Sequence, residues 1–336
     1  MSHQRIKYID IAKGIATLLV IIGHLSYTPP GIKAWLYTFH IPLFFFLSGF
    51  VLNCNFPKLL DFLKLKIKRI LLPYLWLSII TWIFVECIYQ SVLNLDYHSF
   101  QKILGIFICA KSTPYYLTLW FIISLFFAQI IIYLLSRLKN KKIILMFLAM
   151  LFLLGIYISS IYEPGWILVS DTIPMASFFV GLGFFSRQYY DIIKNFFNIP
   201  CLIICTCINY MAGMVNLNYV SRVDLFYQDL GNPILFLSSA ISGIYMIIIF
   251  SKFIQNFKPI QYVGKNSLLF YAFHSPIFIP IADKIVEILI IQNIPLICYD
   301  TIKMFIALFT VCIGMVIVCE IVNRYFSFVL GKKKLV

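Results

Sequence analysis

Residues 8–53 read YIDIAKGIATLLVIIGHLSYTPPGIKAWLYTFHIPLFFFLSGFVLN, and this stretch decides the fold. Two long apolar runs flank a turn that holds Pro29, Pro30 and Gly31. Each run is long enough to cross a hydrocarbon layer as a helix. Yet the first carries Asp10, Lys13 and His24, and the second carries His40 and Ser48. Ionisable groups inside a spanning segment are unfavourable and, where they occur, mark function by default. The hairpin is therefore both the signature of the fold and the first place to look for chemistry.

The rest of the chain has the same character. Of 336 residues, 62% are hydrophobic and 12% are charged, against about a quarter charged in a soluble domain. Repeated apolar runs of ~18 residues or more specify an all-α, polytopic membrane helical bundle. The alternation of a membrane β-barrel is missing. Approximate spans are 9–27, 35–53, 70–93, 117–135, 143–160, 171–187, 199–215, 233–251, 267–290 and 302–323, about ten transmembrane helices. No low-complexity tract or internal repeat divides residues 1–336, which read as a single membrane domain.

A net charge of +14 raises the question of nucleic acid, but the basic residues sit between the apolar runs. With the N-terminus in the cytosol, most of the 27 basic residues fall on the cytosolic side, as the positive-inside rule requires. Only Lys33, Lys102, Lys111, Arg222, Lys284 and Lys303 fall outside, together with most of the acidic residues. Both termini are then cytoplasmic. The basic start resembles a signal peptide, but no small-residue cleavage site follows, so it reads as an uncleaved first span.

Two stretches are less regular. Residues 100–111 are apolar but too short to span, and fit a surface or re-entrant segment. Residues 271–282 hold Pro276 and Pro280 inside a span, where proline removes a helical donor and kinks the helix. The nine cysteines lie mostly in apolar runs and read as core residues; no zinc spacing accompanies Cys201, Cys205 and Cys207.

At 100° per residue, Lys13, Thr17 and His24 fall within about 60° of Asp10 on the first span. This stripe should face the bundle interior. Asp10 and Lys13 are also close enough to pair. His24 lies ~21 Å beyond Asp10, towards the outer side. His40 enters the second span from that side, at a similar depth, and neutral imidazole suits removal of a hydroxyl proton near neutral pH. A metal held by the two histidines has no carboxylate or thiolate to complete it. Ser48 with Gly49 reads as a helix-packing pair, since Ser48 is ~12 Å inward of His40. Arg69 lies before Pro73 at the inner end of the third span, and its fork suits phosphate. Trp120 fits either an interfacial belt or a pocket wall. Asn266 and Ser267 read as a helix cap. His274, two residues before Pro276, fits either a site residue or a partner for a carbonyl freed at the kink.

At YIDIAKGIATLLVIIGH, FHIPLFFFLSGFVL, KIKRILLPYLW, LWFIISLF and VGKNSLLFYAFHSPI, in that order, the chain resembles the acyltransferase-3 family of integral membrane acyltransferases. The sugar O-acetyltransferase branch with fucose 4-O-acetylase-like proteins is the most similar. The resemblance covers essentially the whole chain. It implies O-acetyl transfer from acetyl-CoA, a substrate rather than a tightly bound cofactor, to a hydroxyl of a cell-surface glycan or its lipid-linked precursor. It implies a multi-pass protein of a bacterial inner membrane, in contact with lipid. His24 matches the family's essential histidine, and Lys13 and Arg69 match positions tied to donor binding. The family often has arginine where this chain has Lys13, which keeps charge and loses the fork. No esterase-like domain follows the bundle, unlike some fused members.

A two-sided scheme accommodates these residues. Lys13 and Arg69 hold the donor's phosphates on the inner side, and His24 acts as general base on an acceptor hydroxyl arriving from outside. His40 orients His24 or polarises the thioester carbonyl. A transporter or flippase of a lipid-linked sugar also fits ten spans with a buried polar path, but paired halves are missing. A structural or sensory membrane protein fits the aligned stripe less well. The acceptor, the acyl group and the oligomeric state, a homo-oligomer included, stay open at this level.

Overall fold

The computed structural model describes residues 6–85, 105–107, 119–161, 167–289 and 296–331. The short apolar segment 100–111 falls almost wholly outside these residues. The regular structure of the described residues is helical, with one isolated bridge between Asp224 and Asp229. In chain order they are α1 (Lys7–His24), α2 (Pro30–Tyr37), α3 (His40–Phe50), α4 (Leu59–Phe84), α5 (Trp120–Leu135), α6 (Lys141–Ser160) and α7 (Ile173–Gln188). Then come α8 (Ile199–Asn216), α9 (Pro233–Phe253), α10 (Lys258–Lys265), α11 (Ser267–Leu289) and α12 (Leu296–Tyr325). Asn140, Asn198 and Asn232 cap α6, α8 and α9 by accepting from backbone N–H groups of the first turn.

Seven described helices are long and apolar enough to cross a membrane: α4, α6, α7 with its lead-in, α8, α9, α11 and α12. The chain is a multi-pass membrane protein. The other expected spans depart from that pattern for physical reasons. α1 has the length, but carries Lys7, Asp10 and Lys13. α5 is apolar and 16 residues long. The expected continuous span 35–53 is broken at Thr38 and Phe39, leaving an α3 of 11 residues, about 16 Å of rise and too short to cross alone. The third span begins at Leu59, not near residue 70, because α4 runs through the basic cluster in a π-turn at Ile67–Leu71.

The helices sort into an interior and a rim. In their most apolar stretches, α7, α9 and α11 are 67%, 61% and 56% buried, whereas α4, α6, α8 and α12 are only 22–28% buried. The rim helices turn Leu145, Met150, Ile204, Phe305 and Phe309 outward, as a surface solvated by lipid should. Buried side chains from α1, α3, α5, α7, α9 and α11 join in one continuous core.

Glycine permits the closest crossings. A Cβ on Gly49 of α3 would lie 1.9 Å from the Val180 carbonyl oxygen of α7, and one on Gly183 would lie 1.9 Å from that of Phe46. Gly264 of α10 meets the Asp10 carbonyl oxygen of α1 just as closely, at 1.8 Å. Small residues let backbones approach where side chains would hold them apart. Asn266, expected as a helix cap, makes no cap bond. It donates instead to the Tyr262 carbonyl and accepts from Asn323.

Gly49→Val should therefore lower stability by about 2 kcal/mol or more. Thermal unfolding in detergent should show it as a lower midpoint. Gly31→Ala, which meets open space, should leave the midpoint unchanged; equal midpoints for both variants would refute the packing argument.

Candidate active site

Two cavities lie in succession along α1. The basal one, nearer the N-terminal end of α1, measures about 180 Å3 and is lined by Lys13, Phe44, Ser48, Arg69, Phe121, Ser267 and Tyr271 among others. The distal one measures about 320 Å3 and is lined by His24, Lys33, Tyr37, His40, Trp120, Arg222, Asp224, Phe226 and Tyr271 among others. Lys13 and His24 are separated by about 16 Å of rise and about 20° of rotation. One helix face thus presents a cation to the basal cavity and an imidazole to the distal one. Tyr271 belongs to both walls.

The histidines share one hydrogen-bonding habit. His24 Nδ1 lies 2.8 Å from the Val20 carbonyl oxygen and His40 Nδ1 lies 2.7 Å from that of Leu36. His274 Nδ1 lies 3.0 and 2.9 Å from the Phe270 and Tyr271 oxygens. A carbonyl can only accept, so Nδ1–H donates in each case and a neutral ring keeps its lone pair on Nε2. That is the tautomer a general base needs. The His24 ring lies edge-on to His274 at 5.1 Å between centroids. Tyr37 sits 6.2 Å from His24 and 4.7 Å from His40.

The outer end of the distal cavity is built by residues 217–232, between α8 and α9. Buried Asn216 pins this loop, donating to the Leu230 carbonyl at 2.9 Å and accepting from Asn232 N at 2.7 Å. Asp224 and Asp229 exchange backbone bonds of 2.7 and 2.9 Å. The turn between them is closed by Gln228, at φ +58°. Arg222 donates to Asp224 at 2.8 Å, and its guanidinium lies 4.2 Å above the Tyr37 ring. Lys33, at the mouth, is held below the usual lysine range, first by burial and then by the neighbouring Arg222 charge.

The structure divides the residues singled out in the sequence. His24, His40 and Trp120 line the distal cavity; Lys13, Ser48 and Arg69 line the basal one. The packing expected of the Ser48–Gly49 pair falls to Gly49. Asp10 and Thr17 line neither cavity: buried Asp10 sits where α10 crosses α1, and Thr17 donates to the Lys13 carbonyl at 2.8 Å. The shared stripe therefore resolves into a cavity-facing pair, Lys13 and His24, and a backbone-facing hydroxyl. His274 lines neither cavity. It opens the π-turn His274–Phe278 and donates to carbonyls of the preceding turn, those of Phe270 and Tyr271, and its buried Nε2 meets no hydrogen-bond partner among the described residues. Among those residues no three His, Cys, Asp or Glu side chains are grouped to hold a metal.

Sequence reasoning missed Lys33, Tyr37, Arg222, Asp224 and Tyr271. Lys33, Arg222 and Asp224 had been counted only as charges on the outer side. Their signal was present in SRVDLFYQD (residues 221–229), where opposite charges two residues apart sit in an aromatic loop that is too short to be a domain.

A family model described as an acyltransferase domain, that of the acyltransferase-3 family, matches residues 6–324. The chain belongs to this family, and so to the membrane acyltransferases. No curated protein and no solved structure matches it.

Removing the loop's anchor gives a direct check on the architecture. Asn216→Ala leaves a buried carbonyl and a backbone N–H unpaired, each worth about 1–3 kcal/mol. Limited proteolysis should cut residues 217–232 faster than in the unaltered protein, and an unchanged cleavage rate would refute the anchoring role.

Proposed function

We propose that this protein is an O-acetyltransferase of a bacterial inner membrane, with both termini cytosolic and about ten membrane passages. It moves acetyl from acetyl-CoA to a hydroxyl of a cell-surface polysaccharide or its lipid-linked precursor. The observation that carries the reading is the shared face of α1, with Lys13 in a basal cavity beside Arg69 and His24 in a distal cavity beside His40. Family membership supports acyl transfer; the donor and the acceptor are the reading's own additions.

CoA is a polyanion made in the cytosol, and the basal cavity supplies the cations that such a donor requires. Lys13 and Arg69 hold phosphate there, Arg69 through its fork. The thioester sits beside Tyr271, where the cavities adjoin. The acceptor hydroxyl meets the free Nε2 of His24, which takes its proton as the oxygen attacks the thioester carbonyl. The C–S bond then breaks, and the thiolate recovers the proton from His24 and leaves as CoA. His40 orients the hydroxyl. Polarising the carbonyl falls outside its reach while neutral, because its one N–H is engaged by Leu36.

His24→Ala should abolish transfer while the protein still accumulates in the membrane. Arg69→Gln and Lys13→Gln should chiefly raise KM for acetyl-CoA, by about tenfold each for a lost charge-assisted contact. Mass analysis of surface glycan from a deletion strain should show loss of an acetyl increment. Full transfer by His24→Ala would refute the base assignment. Protein that consumes no acetyl-CoA in the presence of glycan would turn the reading towards a transporter.

A further inference from the structure

The distal cavity is not neutral. Its wall carries two cations, Lys33 and Arg222, and one carboxylate, Asp224. That carboxylate is already engaged: Oδ2 accepts from Arg222 at 2.8 Å, and Oδ1 accepts from the Phe226 and Tyr227 backbone at 2.9 and 3.4 Å. The Arg222 guanidinium lies 4.2 Å over the Tyr37 ring and donates to Asp224 at 2.8 Å, two contacts that position it before any ligand arrives. Lys33 donates to the Leu25 carbonyl at 3.3 Å and has no carboxylate within ion-pair distance among the described residues. His24 and His40 carry no negative charge in either protonation state and cannot supply the missing counter-charge. One positive charge is left in a half-buried wall within reach of the imidazole. Leaving such a charge unpaired is unfavourable, and an anion entering the cavity relieves it.

We propose that the acceptor carries an anionic group, a carboxylate or a phosphate, that docks between Lys33 and Arg222. Docking there turns one of the acceptor's hydroxyls towards His24. This rests on the acyltransferase reading for its direction and adds the chemical class of the acceptor. Arg222 is the orienting contact, because its planar fork is positioned by Tyr37 and Asp224. Lys33 is the diffuse one, a flexible point charge at the mouth. Tyr37 and Trp120 supply apolar walls for a sugar ring between them.

The test uses the full chain in nanodiscs and four probes: glucose, glucuronate, glucose 1-phosphate and acetyl-CoA. Binding of the first three is read by thermal shift and direct titration. Glucuronate or glucose 1-phosphate should bind about tenfold or more tightly than glucose, as a charge-assisted contact implies. Lys33→Gln and Arg222→Gln should each remove most of that preference. Lys33→Gln is the safer variant, since Lys33 makes one backbone contact while Arg222 helps to hold the loop. A preference for glucuronate assigns the anion to an acidic polysaccharide, and one for glucose 1-phosphate assigns it to a phosphorylated, lipid-linked precursor. Equal binding of glucose and both anions, or a preference that survives both substitutions, overturns the proposal. Acetyl-CoA consumption on the same sample separates the two failures. Consumption without anion preference sinks the acceptor class alone; anion preference without consumption sinks the acyl-transfer reading and leaves the anion site standing.

Discussion

Much in this bundle follows from carrying Lys13 and His24 on one face of α1 among apolar helices. Neither group can face lipid without a large penalty, so α1 has to be enclosed. The enclosure is built by backbones rather than by large side chains. Gly14 and Gly264 bring α10 onto α1, and Gly49 and Gly183 lock α3 to α7. Two of the cavities left between the helices open beside Lys13 and beside His24. The two cavities are thus not incidental gaps between helices. They are where the polar face of α1 is satisfied by polar partners and accessible volume instead of by lipid.

Helix irregularity works in the same direction. The break between α2 and α3 sets His40 at the first position of a new helix, against the distal cavity. The π-turn in α4 carries Arg69, and the π-turn in α11 carries His274 and Ser275. A π-turn widens a helix locally and redirects side chains that regular geometry would send elsewhere. Both lie beside a proline, Pro73 and Pro276, whose missing N–H already disturbs the ladder. Stability given up in regular hydrogen bonding is exchanged for the direction of functional side chains.

The bundle was legible because it is written in local quantities. Run length, charge content and the 3.6-residue period place helices wherever apolar runs are long, and they put Lys13 and His24 on one face. The sequence also led to Arg69, through a cation beside a proline. It misled where neighbours decide. Thr17 shares the stripe in angle, yet its hydroxyl finds a nearer acceptor in its own helix. The break at Thr38 and Phe39 carries a signal that the run-length reading passed over: Pro42 has no N–H for the Thr38 carbonyl four residues back, and its ring crowds that carbonyl. Arg222 and Asp224 belong to the site only because Asn216 folds a loop back over it, and no periodicity encodes that return. Tyr271 looked like one more aromatic in an apolar run, and only the helices around it show that it faces two cavities.

Tyr271 stands where the two cavities meet. Its ring centroid lies 6.3 Å from Phe44 and 5.5 Å from Phe121, and those two lie 5.8 Å apart. Rings at these separations are in contact, so the three close a triangle beside the basal cavity, which all of them line. Under the acyltransferase reading a thioester held by Lys13 and Arg69 passes beside these rings on its way to His24. Phe121 is braced by Phe45 at 4.4 Å and Phe44 lies in the middle of α3. Tyr271 stands three residues before the π-turn, where the helix is already irregular. The side chain shared by the two cavities is therefore placed next to the part of α11 whose hydrogen bonding is easiest to rearrange.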